Sequence, residues 1–241
     1  MTRKFAFRKL GVLLSKLIPS GVPLLVVRGP LRGAKWISGA AAGAGKGLSI
    51  ILNLVEPKQL ELAKRLAPAC DICFDIGANV GLYSLLFARY SKQVFAFEPF
   101  PRNISYLSKT LKLNGVGNVI IVPYAVHDST KLMYFLEDKN FALGRLDNRG
   151  KLPCVAVSCD DFVSAYKIVP SLLKIDVEGS EMAVLNGAKN LLSKHRPIVL
   201  LSTHNEKLRI SCLEILKKMK YQIQPLDAEK IERASEFVAT P

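Results

Sequence analysis

The 241-residue chain has three histidines, one tryptophan and an odd five cysteines, and its 20 acidic residues are outnumbered by 34 Lys and Arg. Each scarcity excludes something. With 49% apolar residues the chain can build a core without staples. Cys70, Cys73, Cys154, Cys159 and Cys212 therefore read as reduced thiols, not as a disulfide framework. Cys70 and Cys73 form a C-x-x-C pair, but no second pair of comparable spacing joins it and Cys73 falls in an apolar run. That pair reads as packing rather than zinc or redox chemistry. No stretch reaches the ~18 uninterrupted apolar residues of a membrane-spanning helix. Lys16 and Pro19 interrupt the apolar N-terminal stretch and no A-x-A-like site follows, which argues against a secretory leader.

What is abundant is positive charge, and it is local. Residues 1–70 carry 12 Lys and Arg against 2 acids, and the remainder carries 22 against 18. A basic extension over 1–55, a helix and then a hairpin, thus precedes a nearly neutral domain over 56–241. Such a distribution argues against a nucleic-acid binder and for a local anionic contact. Residues 2–18 suit an amphipathic helix, which either rests on an anionic bilayer or covers a domain edge with its lysines in water. The expectation is a cytoplasmic protein with peripheral membrane contact through residues 1–20. "GAGKG" over 43–47 lacks the Ser or Thr of a phosphate loop and reads as a flexible loop.

From residue 56 onward the hydrophobic pattern alternates. Short apolar runs ("ICFDIG", "QVFAFEP", "NVIIVPYAV", "SLLKIDV", "PIVLLST", "YQIQPL") are separated by helical spacing, which predicts a mostly parallel sheet with helices on both faces. Asp160 is placed to cap the short helix "DDFVSAYK". Ligands of such sheets bind beyond the carboxyl ends of the strands, so the strand-end residues carry the chemistry. These are Asp75 with Gly77-Ala78-Asn79-Val80-Gly81, then Glu98-Pro99, Tyr124 to Asp128, Asp176 with Glu178, and Ser202-Thr203-His204.

The first loop differs from a dinucleotide fingerprint in one place: Asn79 stands where the second glycine would admit a pyrophosphate. A diphosphate would also meet the Asp75 carboxylate. Glu98 suits a carboxylate that accepts both hydroxyls of a ribose. An adenosine carrying cations in place of phosphates, S-adenosylmethionine, satisfies both features.

"FDIGANVGLYSLLFA", "VFAFEPFPRNISYLSKTLKLNG" and "LLKIDVEGSEMAVLNGA", in that order, resemble the FkbM-type methyltransferases, and "RGPLRGAKW" is similar to the N-terminal hairpin of some members. The resemblance implies a Rossmann-like class I methyltransferase fold with seven strands ordered 3-2-1-4-5-7-6, the last antiparallel. It implies methyl transfer to a hydroxyl of a sugar, glycan, glycolipid or other small acceptor. By the same resemblance Asp75, Gly77, Ala78, Asn79 and Gly81 line the methionine end, Glu98 and Pro99 the ribose, and Ala125-Val126 the adenine edge. Asp176 and Glu178 then lie beside the reactive methyl. The family often has Glu-x-His where this chain has Ser202-Thr203-His204.

A hydroxyl acceptor must lose a proton. His204, with an ordinary pKa near about 6.5, reads either as that general base or as an exposed loop histidine. Two carboxylates alone, Asp176 and Glu178, are too few to assign a metal. Glu181 reads as a first-turn helix acid. The rival functions are a nucleic-acid methyltransferase, disfavoured by "KIDVEG" in place of an aromatic strand end, a catalytically silent binding protein of the same fold, and an NAD(P) oxidoreductase.

Overall fold

A computed structural model describes residues 18–40, 47–138 and 144–241. The expected N-terminal amphipathic helix and most of "GAGKG" lie outside them. Among the described residues no helix is long and apolar enough to cross a membrane.

Seven strands form the central sheet: β3 (Ile72–Ile76), β4 (Gln93–Phe97), β5 (Val119–Val122), β10 (Leu172–Ile175), β11 (Ile198–Ser202), β12 (Gln222–Pro225) and β13 (Glu236–Thr240). They lie side by side as β12-β13-β11-β10-β3-β4-β5. Neighbours from β11 across to β5 are parallel, and β13 runs antiparallel to both β11 and β12. The sequence pattern reveals the strand that became β12 but not β13 individually. β13 completes the edge by inserting between β11 and β12.

β3, β4 and β10 are buried almost throughout, as strands with helices on both faces must be. Phe74 and Ile76 face one layer, where Phe74 meets Phe95, Phe97 and Phe162 edge to face at 5.2–5.6 Å between ring centroids. Phe162 belongs to helix α5 (Cys159–Tyr166). Cys73 faces the opposite layer, against α2 (Pro57–Leu66) and α3 (Leu82–Ala88). Alternation then puts Asp75 of β3 on the α3 side and close to its N-terminal turn.

A hairpin of β1 (Pro23–Leu25) and β2 (Lys35–Ile37) packs on this second layer. Its Trp36 is fully buried, and Asn114 at the end of α4 (Pro101–Leu113) both donates to and accepts from the backbone of Lys35 at 2.8 Å. A short helix α1 (Leu48–Ile51) follows the hairpin.

The expected third strand is interrupted. Pro123 has no N–H to continue the ladder, so β5 ends at Val122. Ala125–Val126 becomes β6 of a second sheet with β7 (Lys131–Leu136), β8 (Arg145–Leu146) and β9 (Leu152–Val157), ordered β6-β9-β7-β8. The helical stretch that follows β10 is divided, into α6 (Glu181–Asn186) and a π-helical turn Leu191–His195. Between them a Cβ at Gly187 would stand 2.1 Å from the His127 carbonyl oxygen. Capping shifts by two residues as well: Ser158 caps α5, accepting from the Asp161 N–H at 3.0 Å. Asp160 instead accepts from the backbone N–H groups of Asn190 and Leu191. The last helix, α7 (Glu206–Lys218), opens with Asn205 as its cap.

Candidate active site

One cleft lies over the carboxyl ends of β3, β4 and β10 and is roofed by the second sheet. Gly77, Asn79, Glu98, Pro99, Asn103, Ala125, Val126, Phe135, Arg145, Asp176 and Glu178 line it, among others. Of the residues expected at a cofactor, Gly77, Asn79, Glu98, Pro99, Ala125, Val126 and Asp176 are on its wall. Asp75, Ala78 and Gly81 lie behind that wall and shape it.

The loop after β3 is locked by its own hydrogen bonds. The N–H groups of Gly77 and Ala78 both donate to the Phe97 carbonyl, at 3.0 and 2.9 Å, and that of Gly81 donates to Ala78 at 2.9 Å. The Asn79 N–H donates to Glu98 Oε2 at 2.8 Å. Gly77 has φ +83°, and a Cβ there would stand 1.9 Å from the Asp176 carbonyl oxygen. Only glycine allows β3 and β10 to end this close together. Asn79 itself adopts φ 50°, which asparagine tolerates better than most residues.

Glu98 is buried with both oxygens engaged: Oε2 by Asn79 and Oε1 by the Phe100 N–H at 2.9 Å. Burial pushes its pKa up to about 7 although these N–H groups pull the other way. Asp75, also buried, accepts from Ser84 Oγ of α3 at 2.6 Å, and burial raises it to about 6.

At the other end of the cleft His204, just beyond β11, joins the residues that follow β10. Its Nε2 is 3.3 Å from Asp176 Oδ1 and 3.2 Å from Glu178 Oε2, while Nδ1 meets Glu181 Oε1 at 2.8 Å. Burial alone would lower the His204 pKa. Hydrogen bonds to Glu178 and Glu181 and the charge of Asp176 outweigh it and hold the ring at about 10. Three carboxylates thus surround the ring and favour its protonated form in the ligand-free protein. Glu181, expected as a helix-dipole acid, is fully buried and also accepts the Gly179 N–H at 2.9 Å. Its spacing three residues after Glu178 was the available signal.

Beneath this cluster lies a buried charge that the sequence does not reveal. Lys174 is 1% exposed; its Nζ is 3.2 Å from Asp176 Oδ2, donates to Ser202 Oγ at 2.6 Å, and lies 5.1 Å from the centre of the Tyr83 ring. Burial opposes its charge, but Asp176, Glu56 and Glu236 prevail and raise its pKa. Ser202 in turn donates to Glu236 at 2.8 Å, which also accepts from Gln59. Ser202 and Glu236 are register partners across β11 and β13. A glutamate thus reaches the region of Ser202 from the neighbouring strand. His127 contacts Asp128 at 2.9 Å on the far side of β6, and all five cysteines are buried and free.

The Gly77, Ala78 and Asn79 N–H groups are taken by Phe97 and Glu98 and are not free to receive a diphosphate. Residues 75–233 match the methyltransferase FkbM domain family. The chain belongs to that family. It is 30% identical over 125 residues to the hexuronic acid methyltransferase AglP of Haloferax volcanii, an alignment covering 51% of this chain and 52% of the relative. It is also 39% identical over 56 residues, 23% of the chain and 17% of the relative, to the tRNA (guanine(37)-N(1))-methyltransferase Trm5b of Pyrococcus abyssi. The chain spans about half or less of the length of these curated relatives. Its fold is similar to the crystal structure of methyltransferase FkbM from Methylobacillus flagellatus, with a TM-score of 0.53 and 20% identity over 71% of this chain and 43% of that one.

Proposed function

We propose that the chain is an S-adenosylmethionine-dependent O-methyltransferase acting on a hydroxyl of a sugar or a related glycan. The observation that carries the cofactor is the loop after β3, whose N–H groups are occupied while the buried Glu98 carboxylate faces the cleft. When bound there, S-adenosylmethionine supplies a methyl group activated on a sulfonium. Glu98 accepts the ribose hydroxyls, Ala125 and Val126 form the apolar edge for adenine, and the Asn79 amide and the carboxylate of Asp176 face the methionine end.

Asp176 and Glu178 also receive the acceptor. Each is partly exposed to the cleft, with side-chain exposures of 28% and 23%, and each can accept the hydrogen bond of an incoming hydroxyl and then its proton. Alignment of that oxygen is the larger contribution, up to about 7–11 kcal/mol in the best oriented systems. His204 holds the two carboxylates in place. A sugar acceptor is supported by the relative that acts on hexuronic acid and by the polar residues at the outer end of the cleft, where Arg145, Glu178, Asn205 and Lys207 border a groove.

Thermal unfolding with S-adenosylhomocysteine, with NAD as control, tests the cofactor. At about 100 times its dissociation constant a ligand stabilises the folded state by ~2.7 kcal/mol. A shift with the nucleoside and none with NAD is expected; the reverse would overturn the reading.

A further inference from the structure

We propose that Asp176, Glu178 and His204 bind one divalent first-row transition ion, with Mn²⁺ the simplest probe, and that Glu181 is the positioning residue that holds His204 for it. The role given to the ion rests on the transferase reading above; its binding does not.

Asp176, Glu178 and His204 come from two neighbouring strand ends, and each offers one ligand atom within 4.8 Å of the others. His204 Nε2 is 3.3 Å from Asp176 Oδ1 and 3.2 Å from Glu178 Oε2. Donors at about 2.1 Å from one ion and at right angles to each other stand about 3 Å apart, so little movement is needed to close the set. One imidazole with two carboxylates suits Mn²⁺, Fe²⁺, Co²⁺ or Zn²⁺ better than Ca²⁺.

Two further observations point to a cation. A metal-bound histidine usually donates its other ring N–H to a carboxylate, which fixes the tautomer and aims the lone pair. Here Nδ1 meets Glu181 Oε1 at 2.8 Å, and Glu181 is fully buried. Its second oxygen, Oε2, is buried without a hydrogen-bond partner. A buried carboxylate left half satisfied is costly unless positive charge lies close by; the protonated His204 ring supplies it in the ligand-free protein, and the ion supplies it once Nε2 is a ligand. Lys174 reaches Oδ2 of Asp176, leaving Oδ1 for the ion. Among the described residues Glu178 has no Lys or Arg partner. The ion takes the position of the Nε2 hydrogen, and a hydroxyl entering from the cleft completes its coordination and becomes more acidic there.

The test is titration of the metal-stripped full chain with Mn²⁺, followed by loss of the free-ion electron paramagnetic resonance signal. One equivalent should bind to the wild type. Binding should vanish in Glu178→Gln and His204→Ala, and Glu181→Gln should weaken it by about 10–100-fold. Glu178 and His204 are partly exposed and lie outside regular elements, so these variants keep the core; circular dichroism checks this, and Glu178→Gln decides if His204→Ala does not fold. Absence of saturable binding, or binding that Glu178→Gln leaves unchanged, would overturn the site. S-adenosylhomocysteine binding measured on the same samples separates the two proposals: nucleoside binding without Mn²⁺ binding overturns the metal site alone.

Discussion

Replacing Glu98 by glutamine separates the folding role of this carboxylate from its binding role. Both oxygens of Glu98 accept backbone N–H groups, from Asn79 and Phe100. A glutamine offers one oxygen and one NH₂, so one of those buried N–H groups loses its partner, at a cost of about 1–3 kcal/mol. Against this, burial holds the Glu98 pKa at about 7. Ionising such a group at pH 8 costs the fold about 3 kcal/mol, at 1.36 kcal/mol per pH unit, and glutamine removes that cost. The two effects nearly offset, so the melting temperature of Glu98→Gln at pH 8 should stay close to the wild type. Binding has no such compensation. Ribose hydroxyls lose a charged acceptor worth about 1.5–3 kcal/mol, which weakens S-adenosylhomocysteine about 10- to 150-fold. Because only the ionised form accepts both hydroxyls, wild-type affinity should rise about tenfold from pH 6 to pH 8, and the variant should show no such slope. Isothermal titration calorimetry at the two pH values reads both effects. A variant that binds within twofold of the wild type, or keeps its pH slope, would refute the assignment of Glu98 to the ribose.

The stability of the ligand-free protein should fall from pH 5 to pH 8 in denaturant titrations. Asp75, Glu98 and Glu236 have folded pKa values raised to about 6, 7 and 7, so their contribution is intact below the ordinary carboxylate range and is lost as pH rises through those values; a rise in stability over this window would contradict their burial as acids. Gly77→Ala should destabilise by more than the ~1–2 kcal/mol of a left-handed non-glycine residue, because its Cβ meets the Asp176 carbonyl at 1.9 Å; thermal unfolding at near wild-type temperature would show that the loop can move. Lys174→Met should cost about 3–5 kcal/mol in chemical unfolding, since it leaves Asp176 and Glu236 without their buried cation. A neutral outcome would mean that the network is dispensable.

The strand ends were legible because sheet alternation and short apolar runs fix where each strand stops, and a glycine loop followed by an acid on the next strand has few chemical uses. The misplacements come from interactions that sequence spacing does not carry. Pro123 ends β5 early, yet the partner that takes up Ala125 and Val126 is β9, some 30 residues on. Ser158 outcompetes Asp160 as a cap because Asp160 is needed by Asn190 and Leu191. Glu181 looks like an ordinary first-turn acid until β11 brings His204 against it. Only the packing of α2, α3 and β13 shows Lys174 as the buried counter-charge to Asp176. The roof of the cleft, with Phe135 and Arg145, comes from the second sheet; "KLMYFL" and "PCVAVS" read as strand-like, but spacing does not show that they pair with each other and with Ala125–Val126 over the strand ends.

The central claim is methyl transfer from S-adenosylmethionine to a sugar hydroxyl. The direct measurement is incubation of the full chain with methyl-labelled S-adenosylmethionine and a panel of hexose, hexuronic acid and glycolipid acceptors, with tRNA as control, followed by mass spectrometry. The expected product is an O-methyl ether on a sugar, formed by the wild type and lost in Glu178→Gln. Label on a nucleobase nitrogen of the tRNA, with none on any sugar, would contradict the account.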